Sequence, residues 1–508
     1  MSVATSPLIG EDEGRGDRNG RLLLFACWCL LAGWLWWTHV VWRDEVRAFS
    51  LALSGSNVAE MLHAVHGEGH PALWYLILRG AHDLFPYREV LPVAGAVFGI
   101  ATMAMVAFVS PFRLWIVAMV LFSGYGAFEY VAIARNYGIA ALVMLGLAAV
   151  YPRVRNSLWL GAILILLCNT NVPSCLLAAG FLLFRFVEFF SDDGGRTKRE
   201  LLIFAGNAAL AAAGAFLCFI TVYPTFNDAA LSSNAGHFGA GSIVAALFDD
   251  HRGFSHLVLG PVALAISCLA FVRRPAALAA AIFGLIALKL FFYFIYGSLY
   301  RHEVLYIFYL LSLFWMTAEG AVGGRRGKRW MNLLQLCGAW AFIAVLAAST
   351  IVLLSPVHEQ LLGKPYSRSA DVAKLLQRPE LSGAIVMADP DTMLESLPYY
   401  VDNRLWMLRQ RRFGKVTRLS ENARRNLTLD EVLADAQTLH SQTGRPIVFL
   451  SHVPLQAERP ERTPVMFDYS TTITPDSVRR FRASTHQIAS LRGLQIGDEA
   501  YDVFVYPR

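Results

Sequence analysis

Two adjacent carboxylates, Asp44 and Glu45, follow the first long apolar segment of the chain in the sequence Trp42-Arg43-Asp44-Glu45. A carboxylate can take the proton of an attacking hydroxyl group, and neighbouring carboxylates can bind a hard divalent cation. The alternative is that acidic residues beside an apolar segment are solvated at its polar end. Asp44 and Glu45 are therefore candidate catalytic residues, and they are the candidate ligands if a metal ion binds.

Two histidines lie in the polar stretch that follows the carboxylates. His70 leads through Pro71 into a short apolar segment, and His66 lies shortly before it. Their imidazoles are candidates for contacting an acceptor or for binding a metal ion together with Asp44. The alternative is that both histidines are exposed or helix-capping loop residues.

The composition of the chain indicates whether these residues belong to a soluble protein or to a membrane protein. Hydrophobic residues make up 56% of the 508 residues and charged residues 16%, which is outside the range of soluble globular proteins. The formal charge of +6 comes from Lys and Arg in short turns between apolar segments, which indicates membrane topology and no nucleic-acid partner. The seven cysteines lie in or beside apolar segments without metal-ligand spacing, so they predict neither a disulfide framework nor a zinc site.

The apolar segments predict about eleven membrane spans. They cover residues 22–42, 90–109, 114–128, 131–151, 158–167, 172–190, 201–223, 254–272, 276–296, 304–318 and 330–354. The segment 71–85 is too short and too polar for an ordinary span, so we expect a half-inserted or interfacial helix there. Basic turns at alternate connections then place the N-terminus in the cytoplasm. The same topology places the first loop, 43–89, and everything after Ser355 on the extracytoplasmic side.

The fold class predicted is an α-helical polytopic membrane protein with a small C-terminal α/β domain. We expect a disordered cytoplasmic tail over residues 1–20, a transmembrane catalytic domain over 21–355 and a soluble extracytoplasmic domain over 356–508. Within the last part, strands are predicted near 384–387, 447–450 and 501–506. A helix is predicted over 429–439, where Thr428 and Glu431 have the spacing of a capping box.

The order of the motifs resembles the GT-C superfamily of membrane glycosyltransferases. The first span is followed by Asp44-Glu45 and then by His70-Pro71-Ala72-Leu73-Trp74-Tyr75 leading an apolar helix. The sequence from Glu129 to Tyr137 resembles an aromatic Ala-Arg-x-Tyr motif, and Tyr300-Arg301-His302 resembles a later arginine-containing loop. The chain looks most like the bacterial branch of protein O-mannosyltransferases and the lipid A aminoarabinose transferase, which take sugars from polyprenyl-phosphate carriers. It departs from that pattern at Ala72, where the family usually has a second proline, and at Asn169-Thr170-Asn171, where relatives often have a histidine.

The resemblance implies inverting transfer of a sugar from a polyprenyl-phosphate carrier to a glycan, lipid or protein acceptor, with GT-C-like spans. Asp44 is then the general base, and Glu45 orients the acceptor, tunes Asp44 or helps to hold a divalent metal ion, the one cofactor left open. Arg135 and Arg301 bind the donor phosphate, whose negative charge grows as the glycosidic bond breaks. The alternative for each arginine is snorkelling toward lipid headgroups, which avoids a burial cost of about 2.5 kcal/mol or more.

Further candidate contacts with substrate are His66, His70, Tyr137, His302 and Asn171, although Tyr137 also suits an interfacial aromatic belt. The Gly- and Ser-rich loop 224–253 predicts a mobile lid, and its Asp249-Asp250-His251 cluster is either a metal site or a solvated loop. A basic run in the soluble part contacts an anionic acceptor or lipid headgroups, or is solvated. It comprises Arg404, Arg409, Arg411, Arg412 and Lys415.

We therefore expect a multi-pass protein of the inner (plasma) membrane, in contact with membrane lipids, a lipid-linked sugar donor and an acceptor. Two other classes of function remain open. A transporter or flippase of a lipid-linked saccharide would also have many spans and intramembrane charges, although no internal repeat is evident and the candidate residues gather at one surface. A non-catalytic envelope assembly protein would use the spans only as an anchor. Anchoring requires fewer spans and fewer polar residues on one face than this chain has.

Overall fold

The computed structural model describes residues 7–10, 15–191, 197–223, 246, 254, 256–257, 260–319, 329–466, 469–495 and 498–508. A helical part comes first and a C-terminal α/β part follows. The helices of the first part are α1 (Arg15–Thr38), α2 (Arg43–Ala52), α3 (Val58–Val65), α4 (Leu73–Leu84), α5 (Val90–Phe108), α6 (Leu114–Leu121), α7 (Tyr137–Val154), α8 (Trp159–Cys168), α9 (Val172–Ser191), α10 (Lys198–Val222), α11 (Gly260–Cys268), α12 (Pro275–Phe294), α13 (Tyr300–Glu319), α14 (Arg329–Val352) and α15 (Leu354–Leu361).

Seven helices in the described part of the chain are long and apolar enough to cross a membrane. They are Asp17–Thr38, Val90–Phe108, Tyr137–Val154, Val172–Ser191, Lys198–Val222, Pro275–Phe294 and Arg329–Leu361. The polytopic helical fold predicted from the sequence is thereby confirmed. A helix suits this setting because its backbone hydrogen bonds close within the segment, which lipid requires.

The other four predicted spans have a different form. Helices α6 and α8 are short, and a π-helical turn (Tyr125–Glu129) follows α6. Helix α11 is also short and, together with the 3-10 turn after it, covers Gly260–Phe271. Helix α13 has 20 residues, but its first turn carries the polar residues Arg301, His302 and Glu303. Every residue from Arg301 to Met316 is buried, so α13 is enclosed by the rest of the protein.

Two glycines of α5 determine how closely the chain after the π-helical turn approaches that helix. A Cβ atom on Gly99 would lie 2.3 Å from the carbonyl oxygen of Tyr130, and one on Gly95 would lie 2.7 Å from Cα of Ala134. A side chain at either position would therefore collide with the backbone of the turn that carries Arg135. Glycine allows this direct backbone contact.

Some residues of the predicted disordered tail pack against the rest of the protein. Leu8 is fully buried, and Ile9 forms an isolated antiparallel bridge with Phe112. Helix α1 then starts at Arg15, and the buried guanidinium group of Arg21 donates to the carbonyl oxygen of Ala107 at 2.9 Å. The predicted disordered tail thus contains residues that pack against the turn between α5 and α6.

The C-terminal part forms two sheets with helices α16 (Ser369–Leu376), α17 (Leu429–Thr443) and α18 (Pro475–Ser484). Its strands are β1 (Ile385–Asp389), β2 (Leu405–Met407), β3 (Arg412–Phe413), β4 (Asn426–Thr428), β5 (Ile447–Ser451), β6 (Val465–Met466), β7 (Tyr469–Thr472), β8 (His486–Leu491) and β9 (Tyr501–Tyr506). The six-stranded sheet has the order β3-β2-β1-β5-β9-β8, in which β1 is parallel to β2 and β5. The smaller sheet has the order β4-β7-β6.

Alternation along the buried strands explains why this sheet has an apolar core on both faces. Val386 and Val448 contribute to the core beside α16, whereas Ile385 and Ile447 contribute to the core beside α17 and α18. The strands and the helix predicted in this region are present. The predicted capping box of α17 is also present, because Thr428 Oγ1 accepts the backbone N–H of Glu431 at 3.2 Å, and the Glu431 carboxylate accepts that of Thr428 at 2.8 Å.

Candidate active site

Glu45 fixes the start of α2, the short helix that carries Asp44. Its side chain is fully buried, and Oε2 accepts the backbone N–H of Trp42 at 3.1 Å and a ring N–H of His39 at 2.8 Å. Its Oε1 accepts the backbone N–H of Ala134 at 2.6 Å. One carboxylate therefore joins the end of α1, the first turn of α2 and the turn that carries Arg135.

Asp44 lies among three guanidinium groups. Its Oδ2 is 3.3 Å from Nη2 of Arg301 and 3.6 Å from Nη1 of Arg135, and its Oδ1 accepts from Nε of Arg43 at 3.3 Å. The Asp44 side chain remains 23% exposed, so an approaching molecule can reach the carboxylate. Burial by itself would raise the pKa of Asp44, but Arg135, Arg43 and Arg301 outweigh it and hold the pKa well below its usual range.

Arg135 connects Asp44 to one of the predicted histidines. Its Nη1 donates to the backbone carbonyl of Asp44 at 2.7 Å, and its Nη2 lies 3.0 Å from Nε2 of His70. Burial and then the positive charge of Arg135 lower the pKa of His70 to about 3. The imidazole is therefore neutral at physiological pH, and its Nε2 accepts the hydrogen bond from the guanidinium group.

Arg301 lies at the first turn of α13, beside two more predicted contacts. His302 Nδ1 accepts the backbone N–H of Leu299 at 3.0 Å, so its Nε2 carries the proton that faces the Tyr137 hydroxyl at 2.7 Å. The guanidinium group of Arg301 lies over the ring of Trp42, 5.5 Å from its centroid. The Nε donor of Arg301 and the indole N–H of Trp42 are buried and find no hydrogen-bond acceptor among the described residues. Unsatisfied buried donors of this kind suit a polar or anionic ligand.

Two predicted contacts cap helices of the protein itself. Asn171 is buried, and its Oδ1 accepts the backbone N–H of Ser174 at 2.9 Å at the start of α9. His66 is the C-cap residue of α3. The described hydrogen bonds do not join either side chain to Asp44, whereas Asp44, His70, Arg135 and Arg301 form one cluster.

Sequence reasoning missed two members of this cluster, Trp42 and Arg43. Arg43 donates to Asp44, and its guanidinium group also lies over the Trp42 ring, 5.5 Å from the ring centroid. Both residues directly precede Asp44 in the chain. Their adjacency to the carboxylate is the signal that would have identified them.

The donor set at Asp44 and Glu45 does not fit the divalent metal ion that the sequence left open. The two carboxylates turn to different partners, and Arg43, Arg135 and Arg301 would repel a cation at Asp44. No group of three or more His, Cys, Asp or Glu side chains that could hold a metal lies together in the described ranges. The Asp249-Asp250-His251 cluster and the predicted lid, apart from Ala246, lie outside the described residues.

The basic run of the C-terminal part does not join Asp44 either. Arg409 is buried and pairs with Asp389 inside that part of the chain. Arg412 and Lys415 line a cavity of about 430 Å³ that also borders Val46 and Ser50 of α2. With 3.6 residues per turn, these two α2 positions lie on the side of the helix away from Asp44.

No protein-family model and no curated protein matches this chain. Among solved structures, the chain is similar to ArnT from Cupriavidus metallidurans bound to undecaprenyl phosphate, with 13% identity, a TM-score of 0.48 and coverage of 95% of this chain and 97% of that chain. It is similar to the same protein in the apo state with 15% identity, a TM-score of 0.47 and coverage of 96% and 98%. Both similarities extend over nearly the whole length of this chain.

Proposed function

We propose that this protein is an inverting glycosyltransferase that moves a sugar from a polyprenyl-phosphate carrier to an acceptor at the extracytoplasmic face of the plasma membrane. One observation carries the proposal: the Asp44 carboxylate lies between Arg135 and Arg301, two arginines at the ends of apolar segments. A carboxylate in this position can take the proton of an attacking hydroxyl group. Departure of a phosphate needs cations that stabilise its growing charge.

The reaction uses these groups in one displacement. The acceptor oxygen attacks the anomeric carbon as Asp44 takes its proton, and a new glycosidic bond forms with inversion. The bond between the anomeric carbon and the phosphate oxygen breaks, and the polyprenyl phosphate leaves with the electron pair. Arg135 and Arg301 donate hydrogen bonds to that phosphate, and charge-assisted bonds of this type are stronger than neutral ones.

The donor also prepares the base. Without donor, three guanidinium groups hold the pKa of Asp44 well below its usual range, so the carboxylate is a weak base. A donor phosphate competes for Arg135 and Arg301. As these cations turn toward the phosphate, the pKa of Asp44 rises, because fewer positive charges favour its ionised form. The carboxylate therefore becomes basic only when a donor is bound.

The surrounding residues hold this arrangement. Glu45 acts as a positioning residue, since its oxygens accept from Trp42 and Ala134 and leave Asp44 to face the open side. Neutral His70 holds the second nitrogen of Arg135. The pair of Tyr137 and His302 supports the first turn of α13. The acceptor, a glycan, lipid or protein, reaches Asp44 from the exposed side of its carboxylate.

The test measures transfer of label from radiolabelled polyprenyl-phosphate sugars in membranes that contain the wild type, Asp44→Asn or Asp83→Asn at matched protein levels. Asp83 is the control because its side chain is 61% exposed on α4. We expect Asp44→Asn to reduce transfer by about 10²–10⁴-fold, as loss of a general base does, and Asp83→Asn to match the wild type. The anomeric configuration of the product, read by NMR, should be inverted.

Two results would overturn the proposal. Transfer by Asp44→Asn at the wild-type rate would remove Asp44 from the chemistry. Movement of intact labelled donor across the membrane, with the sugar–phosphate bond unbroken, would identify a transporter instead.

A further inference from the structure

Three segments of the C-terminal domain hold the backbone that leads into Asp44. The Tyr400 hydroxyl donates to the carbonyl oxygen of Val41 at 2.7 Å, and the Ser369 hydroxyl donates to the same oxygen at 3.2 Å. On the other side of Trp42, Glu499 Oε1 accepts the backbone N–H of Arg43 at 2.9 Å. The main chain is thus held just before and just after Trp42 by residues that are hundreds of positions away in sequence.

Side chains on either side of Asp44 extend the same contact. Arg43 Nη1 donates to Asp498 Oδ2 at 2.5 Å. Arg47, one turn further along α2, pairs with Glu395 and donates to the carbonyl oxygen of Thr417 at 3.1 Å. Both arginines that flank Asp44 on its helix therefore bind carboxylates of the C-terminal domain.

Arg43 is shared between the two carboxylates that matter here. Its Nε donates to Asp44 at 3.3 Å while its Nη1 donates to Asp498. Asp498 therefore fixes the direction of the guanidinium plane and, with it, the hydrogen bond offered to Asp44. Without Asp498, the same guanidinium group would turn fully to Asp44 and hold it as a closed ion pair.

The burial of these groups indicates a role in positioning. In the ion pairs Arg43–Asp498 and Arg47–Glu395, Arg43 and Glu395 are 8% and 1% exposed. Glu499, which accepts the backbone N–H of Arg43, is fully buried. Buried ion pairs contribute little net stability because desolvation offsets their attraction, and their best-attested use is to specify one geometry. Burying charge at this junction is thus explained by the orientation that it enforces.

We propose that the C-terminal domain is part of the catalytic centre, with Asp498 and Glu499 as positioning residues that hold Arg43, and through it Asp44, in the orientation for proton transfer. This inference rests on the proposed function. It differs from an accessory role, in which the domain would bind a partner and leave the turnover of a bound donor unchanged.

The experiment compares Asp498→Asn, Glu499→Ala and Glu499→Gln in the full-length protein in lipid nanodiscs. The matched control is Asp476→Asn, an exposed carboxylate that pairs with Arg479 in the same domain. Two measurements are made. Steady-state kinetics give kcat and the donor KM with the labelled donor that supports wild-type transfer. Hydrogen–deuterium exchange is followed in peptides that cover α2 and α4.

We expect Asp498→Asn and Glu499→Ala to lower kcat about a hundredfold, the scale for misplacing a reacting group, with donor KM within about threefold since Arg135 and Arg301 are unchanged. Exchange should accelerate in α2 and stay unchanged in α4. Glu499→Gln should restore kcat, because its amide oxygen can accept the same N–H of Arg43. The control should behave as wild type in both measurements.

Unchanged kcat and unchanged α2 exchange in Asp498→Asn and Glu499→Ala would overturn the inference. If an alanine variant is not recovered folded, Asp498→Asn and Tyr400→Phe decide, because both keep the side-chain volume. Asp498→Asn removes the negative charge that competes with Asp44 for Arg43, and Tyr400→Phe removes the hydroxyl that donates to Val41. A wild type without transferase activity would refute the proposed function alone. In that case, faster α2 exchange in the variants would support the positioning contact, and unchanged exchange would refute it.

Discussion

On the proposed function, replacing Asp44 by asparagine should make the protein bind a polyprenyl phosphate, with undecaprenyl phosphate as the probe, more tightly while reducing transfer. In the structure, the Asp44 carboxylate occupies the two arginines that the donor phosphate needs, at 3.3 Å from Arg301 and 3.6 Å from Arg135. Asparagine keeps the shape of the side chain and removes its negative charge. The lipid phosphate then no longer competes with a carboxylate for the guanidinium groups.

The magnitude follows from these distances. At an effective dielectric constant of about 20, unit charges separated by the Arg301–Asp44 distance attract by roughly 5 kcal/mol, which is an upper bound. Partial exposure of Asp44 and the remaining hydrogen bonds reduce the net cost of loosening one pair to about 1.5–3 kcal/mol, the usual value for a hydrogen bond to a charged group. Asp44→Asn should therefore lower the Kd for undecaprenyl phosphate by roughly 10- to 150-fold.

The assay is a titration of undecaprenyl phosphate into protein in nanodiscs, followed by native mass spectrometry, for wild type, Asp44→Asn and Asp83→Asn. The control variant should keep the wild-type Kd because Asp83 is exposed and its ion pair is with Arg79, outside the cluster. An Asp44→Asn variant that binds the lipid phosphate equally or more weakly would refute the reasoning, since Arg135 and Arg301 would then not be the phosphate site.

Three further predictions follow from the same contacts. Arg301→Ala should weaken undecaprenyl phosphate binding by about tenfold or more, measured by the same titration, and an unchanged Kd would exclude this arginine. Glu45→Ala should lower stability by about 3 kcal/mol because Trp42 and Ala134 lose a buried acceptor, seen as a lower Tm; a Tm equal to that of wild type would contradict it. Burial raises the pKa of Glu499 to about 8 against the opposing charge of Arg43. The folded state then binds the proton more tightly than the unfolded state, so stability should fall as pH rises from about 4.5 to about 8. Glu499→Gln should flatten this change in Tm, and an unaltered pH dependence would show that another group titrates.

The sequence was sufficient to predict the parts of the fold that depend on local pattern. Apolar length identified the spans, and alternation identified β1, β5 and β9. Thr428 and Glu431 identified the start of α17 because a capping box acts within one turn. The same reasoning predicted four further spans, but these segments form helices that are short or enclosed by the protein. Apolar content does not distinguish a helix that faces lipid from one that is buried in protein.

Some residues of the candidate site could be predicted because charged residues are rare beside apolar segments, so each one that occurs there is a candidate for function. Asp44 was identified by its place beside an apolar segment, His70 by its place before a short apolar helix, and Arg135 and Arg301 through the resemblance to the glycosyltransferase motifs. The structure brings all four together. Glu45 could not be assigned from the sequence, because neighbouring residues on a helix point about 100° apart and the direction depends on tertiary contacts. Asp498 and Glu499 lie at the other end of the chain, where no local pattern links them to Arg43.

The enclosure of α13 has a consequence for how the protein responds to different membranes. A helix whose sides contact lipid adjusts its tilt when the hydrocarbon thickness changes. Helices α1 and α10 carry exposed apolar side chains such as Leu30 and Leu202, so they are helices whose tilt can adjust in this way. Helix α13 is buried from Arg301 to Met316, so its depth is fixed by its protein neighbours. The height of Arg301 should therefore stay constant relative to Asp44 in thin and thick bilayers alike.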